Sequence, residues 1–373
     1  MSTVQMGCAG LDFGHSDPLY GVSPTGSRLR HATINALSVP MRTPPYMTKI
    51  AIIGAGLAGL TAAHDLKEHA SVTLYEKSRG VGGRLATRRA EPFAFDHGAQ
   101  FFKARSKAFM DFIDPMIQDG TVQRWDARFA EIEGSTLVNS KQWGEAPPHY
   151  VGAPSMSAVG KYLGADLDIH FETRITSMQW SHNQWHLQDE RGETLAPCDW
   201  VLSTLPAQQA FDLLPSTLPS RAALGSVKMR GCFSLMLGFE NALPIEFDAA
   251  LVRGRDISWI SLNSSKPGRP KACSLLVHST NLWADAHIED DRDWVTDYLC
   301  DQTSEVIGYD VHSAQHKAVH GWRYANIGRQ TGATHFLHAD QRVGLCGDWL
   351  VQGRVEAAFK SGRALANSLK EII

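Results

Sequence analysis

The sequence predicts an α/β fold whose parallel sheet is interrupted by a second, mixed α+β region, and three observations carry that expectation. Lys49-Ile-Ala-Ile-Ile53 is a short apolar run of the kind that forms a buried parallel strand, and Gly54-Ala-Gly56-Leu-Ala-Gly59 leads it into a segment with helical spacing, Leu57 to Leu66. A second strand, Val72-Thr-Leu-Tyr75, ends in Glu76, about 20 residues after the glycines. Near the C-terminus a similar unit recurs: the strand Gln341-Arg-Val-Gly-Leu-Cys346, then Gly347-Asp348, then a helix opened by Gly353-Arg354-Val355-Glu356.

Each glycine of the G-x-G-x-x-G has its own task. Gly54 permits a tight turn, Gly56 lets a pyrophosphate approach the backbone, and Gly59 lets helix and strand pack closely. The exposed N–H groups at the helix start attract the anion, and Glu76 is placed to hold a ribose hydroxyl. Three glycines alone would be weak evidence; strand, helix, second strand and terminal acid in order specify a dinucleotide site of the Rossmann type.

After Glu76 comes Lys77-Ser-Arg-Gly-Val-Gly82-Gly83-Arg84-Leu-Ala-Thr87-Arg88-Arg89. A glycine-rich basic loop there can fold back over the pyrophosphate, with Arg84 as a forked donor, or be simply a solvated loop. In Phe93-Ala-Phe95-Asp96-His97-Gly98-Ala-Gln100-Phe101-Phe102, Gly98 would admit a flat ring to the backbone; the aromatics wall a pocket or pack a core. Ser106 opens a helix to about Ile117 that Pro115 kinks or ends. Residues 121–138 alternate as a small antiparallel sheet, and 139–155, with Pro147, Pro148, Gly152 and Pro154, read as a crossing loop.

A short helix from Ser157 to Leu163 precedes strands at Asp168–Phe171, from Thr173 through Ile175, and at Gln184–Gln188. This meander returns through Trp200–Thr204 to the first sheet, and Pro206 starts a helix at its favoured first-turn position. From Arg221 to His320 strands and helices alternate without a phosphate loop. Val227–Phe239 and Cys273–His278 are strand candidates, and Asp290–Ile307 is an amphipathic helix with Trp294, Tyr298 and Leu299 on its apolar face. The implied division is 1–46 a disordered extension or a segment upstream of the biological start, 47–105, 151–210 and 336–373 the nucleotide domain, and 106–150 and 211–335 the substrate domain.

Composition excludes several classes. A formal net charge of −3 over 373 residues gives no electrostatic case for nucleic acid or an anionic membrane. No run approaches the ~18 apolar residues of a spanning helix. Six cysteines without C-x-x-C spacing read as reduced thiols of a cytoplasmic protein, and sixteen histidines without H-E-x-x-H suggest no metal.

Together these motifs resemble the flavin amine-oxidase superfamily, and within it the renalase-like branch. The residues carrying the resemblance are Gly54–Gly59, Gly82-Gly83-Arg84 with Thr87-Arg88-Arg89, and Asp96-His-Gly-Ala-Gln-Phe101. They continue in His278-Ser-Thr with Trp283 and His287, Trp322-Arg-Tyr-Ala325, and Cys346-Gly-Asp-Trp349 with Gly353-Arg-Val-Glu-Ala-Ala-Phe359. The resemblance implies a Rossmann-type FAD-binding domain (glutathione-reductase/p-hydroxybenzoate-hydroxylase-like) interrupted by a mixed α+β substrate domain. It also implies an FAD-dependent oxidase of dihydronicotinamide dinucleotides whose hydride sits at ring C2 or C6. Hydride passes to flavin N5, NAD(P)⁺ leaves, and O₂ becomes hydrogen peroxide. No protein partner is implied.

The resemblance assigns cofactor contacts to Gly54, Gly56, Ala58, Gly59, Glu76, Lys77, Gly83, Arg84, Gly98, Ile175, Gly347, Asp348, Arg354 and Val355. The helix N-terminus from Val355 carries a partial positive charge that would favour a reduced, anionic ring. No S-G-G-C segment is present and Cys346 belongs to a strand, so the FAD is expected to be noncovalent. Gln100, Phe101 and Arg105 are substrate-binding candidates, Arg105 toward a phosphate; His278, Trp322, Arg323 and Tyr324 are catalytic candidates. Competing readings stay open: His278 as a satisfied interior histidine, Trp322 and Tyr324 as core aromatics, and Arg323 on the opposite face of a strand. Lys228 reads as an exposed strand lysine, not the lysine that amine oxidases tend to hold near N5. An amine oxidase, a desaturase and a non-catalytic flavin-binding protein are the alternatives.

Overall fold

Residues 47–144 and 147–373 are described in the computed structural model; the expectation for 1–46 lies outside them, as do two residues of the expected crossing loop. Two sheets organise the chain. The first has six strands in the order His335–His338, Val343–Cys346, Trp200–Ser203, Lys49–Ile53, Ser71–Tyr75, Asp168–His170, parallel except for the antiparallel edge His335–His338. Its centre is Ile50, Ile52 and Leu202, all essentially inaccessible, as befits strands covered on both faces. The helices Leu57–Leu66 and Val355–Lys370 pack together on one face. Gly362 allows this, because a Cβ there would lie 2.3 Å from the Ala58 carbonyl oxygen.

The second sheet has seven strands in the order His316–Asn326, Arg230–Phe239, Cys273–Ser279, Ile257–Leu262, Ala249–Arg253, Arg128–Glu133, Thr136–Gln142. All pairs are antiparallel except Ala249–Arg253 with Arg128–Glu133. The helix Arg292–Ile307 packs beneath it through Val295, Leu299, Cys300, Thr303 and Val306.

Several elements differ from expectation. The hairpin predicted within 121–138 runs on to Gln142 and joins the large sheet through a parallel partner more than 100 residues away. Arg88–Ala90, expected in a loop, pairs with Phe93–Phe95. Pro115 neither ends nor caps its helix, which spans Lys107–Gln118 after Ser106 accepts from the Phe109 N–H. Trp294 is 45% exposed and lies off the buried stripe of its helix, stacked on Trp283 and Tyr298. Lys228 is exposed ahead of its strand.

Candidate functional site

A cavity of about 2510 Å³ runs from the C-terminal ends of the parallel strands to one face of the seven-stranded sheet. Its near end is the glycine turn. A Cβ on Gly56 would meet nothing within 4 Å, so this backbone is open to an approaching group. Gly54 sits at φ +104°, and a Cβ on Gly59 would lie 2.1 Å from the Gly54 carbonyl oxygen. Gly59 is therefore a packing residue: it does not line the cavity, a correction to its expected cofactor contact.

Glu76 is buried, and its two oxygens accept from the Ala55 and Ser78 N–H groups, both at 2.8 Å. Each oxygen keeps a lone pair for a further donor. Lys77, Ala58, Gly83, Ile175, Gly347, Arg354 and Val355 all line the same cavity. Val355 begins its helix, so that N-terminus opens at the cavity, although the buried Glu356 beside it accepts from the Arg105 and Ser106 N–H groups. The orphan N–H groups, the open Gly56 and the acid at the second strand fit an extended dinucleotide.

Arg84 lines the cavity with the Nη1/Nη2 end of its guanidinium already engaged within the protein. Its Nη1 and Nη2 donate to Asp348 Oδ2 (2.8 Å) and Oδ1 (2.5 Å), and Nη1 also donates to the Ala325 carbonyl. Both residues line the cavity, and their pair joins the second glycine-rich loop to the segment that follows the last strand. Gly98 lies against the same arginine: a Cβ there would be 2.0 Å from the Arg84 carbonyl oxygen, and Ala99 N–H donates to that oxygen.

Alternation along His316–Asn326 sends His316, Ala318, His320, Trp322 and Tyr324 into the far end of the cavity. Trp322 donates from Nε1 to the His97 carbonyl (2.8 Å), which also accepts from Ser234 Oγ (2.6 Å), and its indole stacks on the His97 ring at 5.3 Å. His320 meets both rings edge-on, at 5.1 Å and 4.4 Å. Burial pushes His97 and His278 down to about 4, helped by His320 and Arg88 at His97 and by Lys266 at His278. Both rings are thus neutral near pH 7, and His97 Nδ1 and His278 Nε2 are buried without hydrogen-bond partners among the described residues. His278 lines the cavity and is not a satisfied interior histidine.

Arg323 is the fourth catalytic candidate and is corrected. It is exposed at the rim, its guanidinium bound to Glu289 on the surface. Gln100 is corrected too. Its amide donates to the Asp96 and Gly98 carbonyls, and its oxygen accepts from Ser261 Oγ (3.0 Å) and Lys266 Nζ (3.1 Å), so the side chain is used up within the protein. Phe101 lines the cavity against Trp259 (5.6 Å), and Arg105 is exposed at its edge with no ion pair among the described residues.

Sequence reading missed the support beneath this wall. Asp96 is fully buried; Oδ2 accepts from Arg269 Nη2 (2.5 Å), Arg269 Nε (3.2 Å) and Lys266 Nζ (3.3 Å), while Oδ1 accepts from Thr87 Oγ1 and the Met156 N–H. These cations hold its carboxyl down at about 2, and burial lowers Lys266 to about 8. No local pattern links Asp96 to residues 170 and 173 positions later. His316 and His320, in contrast, share the two-residue period of Trp322 and Tyr324 and could have been found by it.

Comparison with known proteins agrees with this geometry. A family model described as NAD(P)-binding Rossmann-like domain matches residues 52–115, and one described as flavin containing amine oxidoreductase matches residues 134–369. Mouse renalase is 23% identical over 217 residues, covering 53% of this chain and 60% of renalase. A mouse prenylcysteine oxidase 1-like protein is 41% identical over 69 residues, 17% of this chain and 14% of that protein. The chain thus spans less than two thirds of the length of either relative. Among solved structures, a chain from Exiguobacterium sp. 255-15 superposes with a TM-score of 0.70 at 14% identity, covering 87% of this chain and 99% of that one. Putrescine oxidase bound to putrescine gives 0.62 at 10% identity, covering 87% and 99%. With a parallel nucleotide sheet, an open glycine turn and a family match over more than half of its length, the chain belongs to the flavin containing amine oxidoreductase family.

Proposed function

We propose that the protein oxidises dihydronicotinamide dinucleotides carrying their hydride at ring C2 or C6, with noncovalent FAD, in the cytoplasm. Donor, O₂ and one proton give NAD(P)⁺ and hydrogen peroxide. Segments 47–105, 151–210 and 336–373 would hold the cofactor, and 106–150 and 211–335 the donor. Bound there, FAD would supply a hydride acceptor and a route for the electron pair to O₂. Cys346 is fully buried and does not line the cavity, which supports noncovalent binding.

The observation that carries the reading is a wall of aromatic and neutral imidazole groups, His97, His278, His320, Trp322 and Tyr324, without a facing carboxylate among the described residues. Of the carboxylates lining the cavity, Glu76 and Asp212 belong to its nucleotide end, Asp348 is held by Arg84, and Glu356 by Lys360. Loss of hydride from a dihydropyridine needs no proton transfer, so orientation is the main task of these residues. The product is an aromatic cation, which π faces stabilise and charged imidazoles would repel. Trp322, locked by its hydrogen bond to the His97 carbonyl, would orient the donor ring.

Aerobic turnover of purified 2- and 6-dihydroNAD(P) tests this. Equal amounts of NAD(P)⁺ and peroxide should form for each O₂ consumed, and peroxide formed from amines in place of the isomers would contradict the reading.

A further inference from the structure

A second chamber, about 510 Å³, opens beside the main cavity and shares Phe101, Lys103, Leu251 and Trp259 with it. Its volume falls in the ~300–1,000 Å³ range of small-molecule sites. Its walls are aromatic. Trp143 stacks on His149 at 3.7 Å with planes 5° apart and faces Phe129 at 5.2 Å on its other side. Phe101 closes the box, 5.0 Å from Trp143 and from His149.

Two polar atoms in this box have no partner among the described residues: His149 Nδ1 and Trp259 Nε1, both buried. His149 is 7% exposed, and burial together with Lys103 and Lys141 lowers it to about 4, so it stays a neutral ring with one donor and one acceptor nitrogen. Lys103 and Lys141 stand at the mouth, Lys141 5.5 Å over the Phe129 ring. Arg105 and Arg354 lie close enough to Lys103 to lower its pKa. Glu131, the one carboxylate lining the chamber among the described residues, is paired with Arg253 and Asn139. The result is an aromatic slot with unpaired edge groups and a cationic mouth, continuous with the donor end of the main cavity.

We propose that this chamber binds the adenosine-diphosphate half of the donor: the base against Phe101, Trp143 and Trp259, its edge toward His149, and the diphosphate at Lys103, Lys141, Arg105 and Arg354. The identification as part of the donor rests on the oxidase reading above. The FAD adenosine belongs at the opposite end, by Glu76, so the two nucleotides occupy separate places. Stacking on a rigid aromatic box and charge-assisted bonds to phosphate make this half an anchor, leaving the nicotinamide to be oriented at Trp322.

The test is calorimetric titration of the FAD-loaded enzyme with ADP-ribose, which has the anchor and no hydride. Wild type should bind it, more weakly at raised salt. Affinity should fall by about tenfold or more in Lys103→Ala/Lys141→Ala, as expected for loss of charge-assisted bonds. It should also fall in His149→Phe, which keeps the stack on Trp143 and loses the ring nitrogens. The KM for the dinucleotide isomers should rise in both variants. Absence of ADP-ribose binding at millimolar concentration, or equal affinity in wild type and both variants, would overturn the chamber assignment even if the isomers reduce the flavin. Binding that follows the expected pattern while no isomer reduces the flavin would sustain the chamber as a nucleotide site and overturn the oxidase reading.

Discussion

His97 and His278 sit where desolvation outweighs every group that would favour their charged form. Their folded-state values lie near 4 against an ordinary 6.5, so the unfolded chain takes up protons that the folded protein refuses. The stability tied to these rings is fully present above pH 6.5 and is lost as pH falls through about 4. Asp96, held at about 2 against an ordinary 3.8, contributes its stability throughout that window and loses it only below, so it adds no slope there. The melting temperature should therefore decline between pH 6.5 and 4, with His149 adding to the slope, and more gently in His278→Phe, which removes one of these buried rings; equal declines would contradict the burial argument. Over the same logic these rings should impose no pH dependence on flavin reduction above pH 6.5. Residue-scale reading of the sequence reaches what is local, such as the positive-φ turn at Gly54 and the open backbone at Gly56, and does not reach a distant partner. Arg84 has the composition of a phosphate ligand, and only the fold reveals that Asp348, 264 positions away, holds its fork.

The segment from Phe93 to Phe102 becomes a wall of the site because the buried Asp96 cluster fastens it to the loop carrying Lys266 and Arg269. Asp96 satisfies two buried cations at once, so removing it is more costly than removing either cation. Asp96→Ala should destabilise by about 3–5 kcal/mol, whereas Lys266→Met, which leaves the Arg269 pair intact, should cost clearly less. Urea unfolding of both variants measures this, and equal losses would show that Arg269 alone does not hold the carboxylate. The legible elements were those with short-range patterns. The β–α–β unit announces itself in period and turn chemistry, and the last helix through its glycine-opened start. The seven-stranded sheet was not legible, because its order depends on pairing Ala249–Arg253 with Arg128–Glu133 across a long stretch of chain. Trp294 misled for a related reason: its spacing matches an apolar stripe, but it sits at the edge of the core, half exposed against the buried Trp283.

At the scale of the molecule, two sheets divide the labour. The parallel sheet offers backbone N–H groups and an acid to a dinucleotide, and the antiparallel sheet offers rings and neutral imidazoles to whatever meets its reactive end. A cavity far larger than one small ligand requires has room for both cofactor and donor. Absence of a charged acid or base at the donor wall among the described residues favours a donor that surrenders hydride without proton transfer. The most direct measurement is anaerobic stopped-flow absorbance of the flavin-loaded protein at about 450 nm, where oxidised flavin absorbs. The donors are 2- and 6-dihydroNAD(P), ordinary NADH, and a panel of amines. Rapid bleaching by an isomer, with ordinary NADH and amines inert, is the result predicted; bleaching by amines alone would contradict the account.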